Sequence, residues 1–167
     1  MISSTSRPRR AAGLAVAALV GLGTVAAIGA PAQAAAGFAF NHRIAGADRF
    51  ATAVASSKLL EPTDGAATDV VIVNGYATVD GLTASYLAGL HSAPILYTNT
   101  DSVPAVTAAE IARLGVDDVW IIGGTDRVSA GLEAAWKASG KEVTRIAGAD
   151  RYETAALVAE ADGDTKP

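Results

Sequence analysis

The chain has 167 residues, of which 50% are hydrophobic but only 5% aromatic, and it contains no cysteine. A disulfide framework, a cysteine-ligated zinc or iron–sulfur site and a thiol nucleophile are therefore excluded, and an intrinsically disordered chain is disfavoured. The 13 basic and 17 acidic residues give a formal net charge of −4.

The first 34 residues have the pattern of a secretory signal peptide. Three arginines within residues 1–10 precede an uncharged run over 11–30, and an A-x-A cleavage site stands at 32–34. A permanent transmembrane helix is the alternative, and both Sec and twin-arginine export stay open. Cleavage after Ala34 would leave 10 basic against 17 acidic residues, a net charge of −7. This charge disfavours a nucleic acid or, after cleavage, a membrane as partner.

An 11-residue motif occurs twice in the chain, 102 residues apart. The copies are RIAGADRFATA at 43–53 and RIAGADRYETA at 145–155, with nine of the eleven positions identical. Self-similarity of this kind marks repeated structural modules. We therefore predict a linker at 35–42, a complete repeat at 43–144 and the start of a second, truncated repeat at 145–167.

Four short β-branched runs follow the first copy, beginning 25, 24 and 24 residues apart. They are Val70–Val73, Ile95–Tyr97, Val119–Ile122 and Val143–Ile146. Each interval accommodates one strand, one helix and two short loops, as in βα units around a parallel sheet. We expect an α/β fold of the doubly wound, Rossmann-like type, with about four to five parallel strands and helices on both faces.

Capping residues predict where the helices between these strands begin and end. Asp80 would cap a helix over 81–91, and Ser129 would cap the helix that follows the third strand. Pro104 suits the first turn of a helix that ends before Gly115.

The motif itself predicts a helix start. Asp48 and Asp150 stand at N-cap positions, and Glu153 would complete a capping box in the second copy. Both copies continue as an apolar stripe with i, i+3, i+4, i+7 spacing. The stripes are Phe50, Ala53, Val54 and Ser57 in the first copy and Tyr152, Ala155, Ala156 and Ala159 in the second. We expect both stripes to pack on the sheet.

An ordered series of motifs resembles the bacterial cell wall-binding repeat 2 family. The series consists of the R-I-A-G-A-D-R-[FY]-x-T-A opening, V-D-G-L-T-A-S at 79–85, A-P-I-L at 93–96, and I-I-G-G at 121–124 followed by V-S at 128–129. The resemblance covers residues 43 to about 161. It implies a doubly wound fold in an exported, non-catalytic module, usually one of three in tandem that pack as a trimer. Such modules hold surface proteins on the wall by non-covalent binding of anionic wall polymers.

Gly123, Gly124 and Thr125 are the first candidate ligand site. They lie between a predicted central strand and a predicted helix, where backbone N–H groups can meet an anion at the carboxyl edge of a parallel sheet. A tight turn without a ligand is the alternative, and a Gly-Gly pair alone does not distinguish the two.

Ile95, Leu96 and Tyr97 are the second candidate. We expect their strand to be central and covered on both faces, so that burial is their main role. The resemblance implies that this triplet matters for anchoring, through direct contact or through folding. Tyr97 stands where the family usually has leucine.

The basic residues of the motif are the third candidate. They are Arg43, Arg49, Arg145 and Arg151, of which Arg49 and Arg151 are the candidate ligand contacts. Guanidinium groups bind phosphate by paired hydrogen bonds. The flanking Asp48 and Asp150 offer local ion pairs instead, and we favour local pairing.

Signs of catalysis are weak. The chain has no G-x-S-x-G, H-E-x-x-H or P-loop motif and only two histidines, His42 and His91. The adjacent Asp117 and Asp118 are typical of a solvated loop. We predict no catalytic residue, metal or cofactor. Two alternatives stay open: a nucleotide- or sugar-phosphate-binding enzyme fragment, and a module that only assembles with other repeats.

Overall fold

The structure, a computed structural model, describes residues 43–161. The predicted signal peptide, its cleavage site and the linker at 35–42 lie outside the described residues. In chain order the elements are α1 (Arg49–Leu60), β1 (Asp69–Asn74), α2 (Thr78–Leu90), β2 (Ile95–Thr98), α3 (Ala105–Leu114), β3 (Asp118–Ile122), α4 (Ala130–Ala138), β4 (Glu142–Ile146) and α5 (Arg151–Glu160). Among these helices, none combines the length and the apolar composition needed to cross a membrane.

The four strands form one parallel sheet in the order β2-β1-β3-β4. The chain runs outward from β1 to β2 and then returns past β1 to β3, so its winding reverses between β1 and β3. This arrangement confirms the predicted doubly wound α/β fold. Val73 is level with Tyr97 on one side and with Ile122 on the other. The carboxyl ends of these three strands therefore meet at one edge of the sheet.

Strand β2 lies at the side of the sheet, so the prediction of a central strand at Ile95–Tyr97 is wrong. Leu96 is fully buried, but Ile95 and Tyr97 are only partly covered. A β-branched run looks the same in a central and in an outer strand. The direction of the crossover after β2 decides its place, and that direction is not encoded in the strand.

Apolar side chains fill the space on both faces of the sheet, as predicted. On one face, α1, α3 and α4 contribute Val54, Ile111 and Trp136. On the other face, α2 and α5 contribute Leu87 and Val158. Because full burial of one such side chain is worth about 1.5–3 kcal/mol, both layers hold the helices on the sheet.

The helix caps predicted in the motif are confirmed. Asp48 and Asp150 each accept hydrogen bonds from backbone N–H groups in the first turn of their helix. Glu153 accepts a bond at 2.6 Å from the N–H of Ala149, one residue before the cap position that the predicted capping box would use. Helix α3 ends as predicted at Gly115, whose φ of 69° lies in the left-handed region that favours glycine.

Helix α2 begins three residues earlier than predicted, because Ala77 and not Asp80 is its N-cap. The Ala77 N–H donates to the Asn74 carbonyl at 3.0 Å, so the helix follows β1 after a tight turn. Asp80 lies in the first turn of α2 and does not cap it. Ser129 occupies the predicted cap of α4, but its side chain makes no capping bond.

The two apolar stripes of the motif differ in burial. In α1, Phe50, Val54 and Ser57 are buried as predicted. In α5 the matching positions are exposed, and Thr154 and Val158 are buried instead. The prediction that both stripes pack on the sheet is therefore wrong for the second copy. The buried face of each helix is set by the elements packed against it, which include α3 for α1 and α2 for α5.

Candidate functional site

The predicted glycine turn lies at the carboxyl end of strand β3, in the interior of the sheet. Gly123 has a φ of 106°, and its N–H donates to the Ile146 carbonyl at 2.9 Å. The N–H groups of Arg127 and Val128 close the turn by donating to the Gly124 carbonyl. The turn is therefore next to the point where the winding reverses, the usual position of ligand sites in doubly wound folds.

Two carboxylates flank this turn. A Cβ atom at Gly123 would lie 3.0 Å from Asp80 Oδ2, and one at Gly124 would lie 2.7 Å from Asp126 Oδ1. The missing side chains allow these carboxylates to approach the turn closely. Because a carboxylate repels an anion, the segment Gly123–Thr125 is by itself a poor anion site. An anion that binds here needs nearby positive charge.

Beside the turn, the start of α2 and the start of α5 border a crevice of about 270 Å³. The crevice is lined by Tyr76, Ala77, Thr78, Val79, Asp80, Arg127 and Arg151. Arg127 comes from the loop between β3 and α4, whereas Arg151 is the first residue of α5. Two separate elements thus supply the positive charge that the glycine turn lacks.

Asp80 is the acidic group of the crevice. Burial raises the pKa of Asp80 above its usual value, the charge of Arg127 opposes that shift, Asp126 adds to it and Arg151 opposes it. Both guanidinium groups therefore lie within electrostatic reach of this carboxylate. Arg127 Nε is also 3.4 Å from Asp126 Oδ2. Within residues 43–161, Arg151 makes no salt bridge.

Asn74 links the two sides of the crevice. This buried residue ends strand β1, and its Nδ2 donates to the Arg127 carbonyl at 2.7 Å and to Thr100 Oγ1 at 3.1 Å. Its Oδ1 accepts a bond from the Tyr76 N–H at 2.9 Å. One side-chain amide thus positions the backbone of both Tyr76 and Arg127.

Tyr76 is an exposed aromatic ring that is held in place. The Arg49 guanidinium lies 4.2 Å from the ring centroid, and Phe50 meets the ring edge-on at 6.2 Å between centroids. Arg49 is itself fixed by a 2.9 Å bond from Nη1 to the Gly75 carbonyl. Tyr76 is nevertheless 64% exposed, and it lines the crevice.

The predicted local pairing of the motif arginines with Asp48 and Asp150 is wrong. Both carboxylates accept backbone N–H bonds at the helix starts instead. Arg145, at the start of the second copy, pairs with Glu133 at 2.8 Å. Because the carboxylates of Asp48 and Asp150 cap the helices, they do not pair with the neighbouring arginines. Arg49 bonds to the Gly75 carbonyl instead, and Arg151 lines the crevice.

A second concavity, a groove of about 690 Å³, runs along the outer side of strand β2. Ile95 and Tyr97 lie in its floor, and α1 and α2 form its walls with residues such as Leu60 and Ser85. Leu96 points away into the core and is fully buried. The Ile95–Tyr97 triplet is thus divided between the core and the groove.

His91 and Asp69 are the one histidine–carboxylate contact within residues 43–161, with Nδ1 3.3 Å from Oδ1. The same carboxylate accepts bonds from the Trp120 indole at 2.8 Å and from the Thr68 hydroxyl at 2.6 Å. The His91 ring also packs on the Trp120 ring. The cluster lies at the amino ends of β1 and β3, at the opposite end of the strands from the crevice. Its contacts are those of a structural link.

The structure brings six of the eight predicted site residues to the carboxyl edge: Gly123, Gly124, Thr125, Tyr97, Arg49 and Arg151. Three residues of this edge were not predicted as ligand contacts, namely Tyr76, Asp80 and Arg127. One signal was available, since a polar Asn74 directly after four buried strand residues marks the end of a strand at a site. The approach of Arg127 to Arg151 had no sequence signal.

The family model "Cell wall binding domain 2" matches residues 43–133, more than half of the chain. The chain belongs to this cell wall-binding family. The match begins at the first copy of the motif and includes the glycine turn and Arg127. Arg151 lies beyond its end.

Relatives and solved structures agree with this membership. The chain is 40% identical over 123 residues to the N-acetylmuramoyl-L-alanine amidase LytC of Bacillus subtilis, covering 74% of this chain and 24% of the amidase. It is 34% identical to the amidase enhancer of the same organism, covering 68% of this chain and 16% of the enhancer. Among solved structures, Cwp8 from Clostridium difficile matches with a TM-score of 0.67 and 38% identity over 70% of this chain and 20% of Cwp8. Cwp6 from the same organism matches with a TM-score of 0.64 and 44% identity over 70% of this chain and 18% of Cwp6. The chain thus spans a quarter or less of each of these proteins.

Proposed function

We propose that this chain is an exported, non-catalytic module that holds a protein on the bacterial cell wall by non-covalent binding of an anionic wall polymer. The observation that carries the proposal is the match of residues 43–133 to a cell wall-binding family. The 123-residue alignment with the related amidase covers only 24% of that protein, so the activity in its name need not reside in the shared part. Wall binding is a function that an amidase and an amidase enhancer can share.

The charges at the carboxyl edge support binding of an anion by an acidic chain. The predicted mature chain has a net charge of −7, which repels a polyanion at long range. Arg49, Arg127 and Arg151 nevertheless lie on or beside the crevice. At physiological salt the screening length is about 8 Å, so the charges that decide anion binding are the nearby ones, three arginines against Asp80 and Asp126.

Packing against further repeats is a second candidate role, possible alongside wall binding. The β2 groove favours it, because two exposed leucines lie on its wall helices. Leu60 of α1 lines the groove, and Leu90 is the last residue of α2. The partner we propose is another repeat of this family, in the trimeric arrangement that the sequence resemblance implies. Light scattering of the purified chain would detect such an assembly as a mass of three chains. A single-chain mass at all concentrations would contradict self-assembly.

A wall pull-down tests the proposed function. Residues 35–167 are incubated with isolated walls and with walls stripped of anionic polymer by mild acid, and retained protein is measured. We expect retention on intact walls and loss of retention on stripped walls. Equal retention on both would remove the polymer-binding proposal.

A three-repeat protein should be retained more strongly than this chain. Linked modules gain about 10²- to 10⁴-fold in avidity through effective concentration without any new contact. The comparison is made on the same walls at equal module concentration. Gly124→Val is a useful variant, because its nearest new contact is the end of the Asp126 side chain. We expect this variant to lose wall retention while its free energy of unfolding stays close to that of the unmodified chain.

A further inference from the structure

We propose that the crevice is a saccharide site, in which a sugar ring stacks on Tyr76 and an anionic group on that sugar, phosphate or carboxylate, binds between Arg127 and Arg151. The proposal rests on the proposed function, since it names the part of the wall polymer that this chain would bind. It also assigns the second copy of the motif a role in the first repeat. Arg151, in the second copy, completes a site whose other walls belong to the first.

The mixture of charges in the crevice defines the ligand. A ligand made only of phosphates would meet Asp80 and Asp126 as repelling neighbours. A sugar offers hydroxyl groups that donate to a carboxylate, and an anionic substituent on the same ring accepts paired bonds from guanidinium groups. A molecule with both features satisfies Asp80 and the arginines together.

The aromatic ring and the volume point to the same ligand. Tyr76 is 64% exposed, and Arg49 covers one of its faces. An open aromatic face that is already immobilised binds the apolar face of a sugar with little loss of side-chain entropy. The volume of about 270 Å³ is just below the range of about 300–1,000 Å³ for pockets that bury a drug-sized molecule. The crevice therefore fits one sugar unit of a longer chain.

The two copies of the motif supply different parts of this site. Arg49 of the first copy packs its guanidinium on the Tyr76 ring and donates a hydrogen bond to the Gly75 carbonyl. Arg151 of the second copy lines the crevice itself. The unit that binds the sugar is then the first repeat together with the α5 helix, so that the second copy of the motif is part of the site.

Titration of the ¹⁵N-labelled chain, followed by NMR, tests the proposal. The probes are N-acetylglucosamine 1-phosphate, glucuronic acid, neutral N-acetylglucosamine and a tetraglutamate peptide. We expect the two anionic sugars to shift amide signals of residues 76–80, 124–127 and 151, at least tenfold more tightly than the other two probes. Whichever anionic sugar binds more tightly identifies phosphate or carboxylate as the anion. Equal binding of the acidic peptide would overturn the saccharide assignment, and shifts confined to the β2 groove would overturn the location.

Matched variants separate a local role from a general effect of charge. Arg151→Gln and Tyr76→Ala should each weaken binding of the anionic sugar by at least fivefold. Lys58→Gln removes the same charge at the far end of α1, and Tyr86→Ala removes another exposed tyrosine. Neither control should change affinity. All four side chains are exposed, so thermal melting should show intact folding. Equal affinities for Arg151→Gln and Lys58→Gln would contradict the proposal.

The wall pull-down keeps the two proposals distinct. If the unmodified chain prefers intact walls but Arg151→Gln is retained equally well, the crevice assignment fails and wall anchoring stands. If the unmodified chain binds stripped and intact walls equally, wall anchoring fails. A crevice that still binds the anionic sugar in that case would be a sugar site without a wall role.

Discussion

The two copies of the motif have the same local structure. In each copy an aspartate caps the helix, and a threonine four residues later donates from its hydroxyl to the carbonyl of that aspartate. The same hydroxyl accepts a bond from the glycine N–H at 3.0 Å in both copies, Gly46 in the first and Gly148 in the second. The motif therefore encodes the start of a helix completely within its own residues.

The tertiary surroundings of the copies differ. Phe50 of α1 is 8% exposed, whereas the matching Tyr152 of α5 is 79% exposed. Helix α5 instead buries Thr154 and Val158, and Val158 shares a core cluster with Leu87 of α2. The counterparts of these two residues in α1 are Thr52, which is half-buried, and Ser56, which is exposed. The same motif can thus join a sheet through either of two faces, depending on which neighbour is present. Arg151 of the second copy thereby lies on the crevice beside Arg127.

The largest difference between the copies should come from the aromatic position. Phe50→Ala should lower the free energy of unfolding by about 3 kcal/mol, because a buried ring is replaced by a cavity. Tyr152→Ala should change it by no more than about 0.5 kcal/mol, as expected for an exposed side chain. Urea denaturation measures both. Equal losses of unfolding free energy in the two variants would mean that Tyr152 is buried like Phe50. The two copies of the motif would then not differ in their surroundings.

The first arginine of each copy should give the next largest difference. The Arg145 side chain is 14% exposed, and it bonds to Glu133 and to the carbonyls of Gly123 and Val128. Arg145→Ala should cost about 2–3 kcal/mol, below the roughly 3–5 kcal/mol of a fully buried pair, because Glu133 keeps Lys137.

The exposed Arg43 provides the matched control for that variant. Arg43→Ala should change stability by no more than about 0.5 kcal/mol. Thermal or urea unfolding of the two variants side by side is sufficient. A similar loss for both would show that the first arginine acts within the motif and not through its surroundings.

Removal of the helix caps should affect the two copies equally. Asp48→Ala and Asp150→Ala should each cost about 1 kcal/mol, since Asp48 accepts one first-turn N–H bond and Asp150 accepts two at a single oxygen. The measurement is again the free energy of unfolding. A cost confined to one copy would show that the local structure of the motif depends on its tertiary neighbours.

A smaller effect should appear in acid. Hydrogen bonds from Lys137 and then Arg145 lower the pKa of Glu133 below its usual value of 4.5, despite some opposing effect of burial. A carboxyl group with a lowered pKa stabilises the fold above its unfolded pKa, and that contribution is lost as the pH falls through the folded pKa. Unfolding free energies measured from pH 6 down to pH 3 should fall less steeply for Arg145→Ala than for Arg43→Ala. Parallel curves would contradict the role of the Arg145–Glu133 pair.

The glycine turn of the site could be predicted from the sequence, whereas the positions of Tyr76 and Arg127 beside it could not. Gly123 and Gly124 were predicted at the end of a strand, because a β-branched run followed by two glycines and a capping residue is a local pattern. Tyr76 and Arg127 carried no such pattern. Their proximity depends on the bonds of Asn74, which joins positions 53 residues apart. Contacts of that range follow from the strand order and not from neighbours in the chain.

The sequence by itself determined the repeated eleven-residue motif, the four strands, most helix ends and the family, because each depends on residues a few positions apart or on an ordered set of motifs. The tertiary structure decided that β2 is an outer strand, that α5 buries a different face from α1, and that Arg127 and Arg151 share a crevice. The physical reason is that strand runs and apolar stripes specify burial without specifying a partner. The partner is selected when the crossovers bring distant elements together, and the same eleven-residue motif then meets two different surfaces.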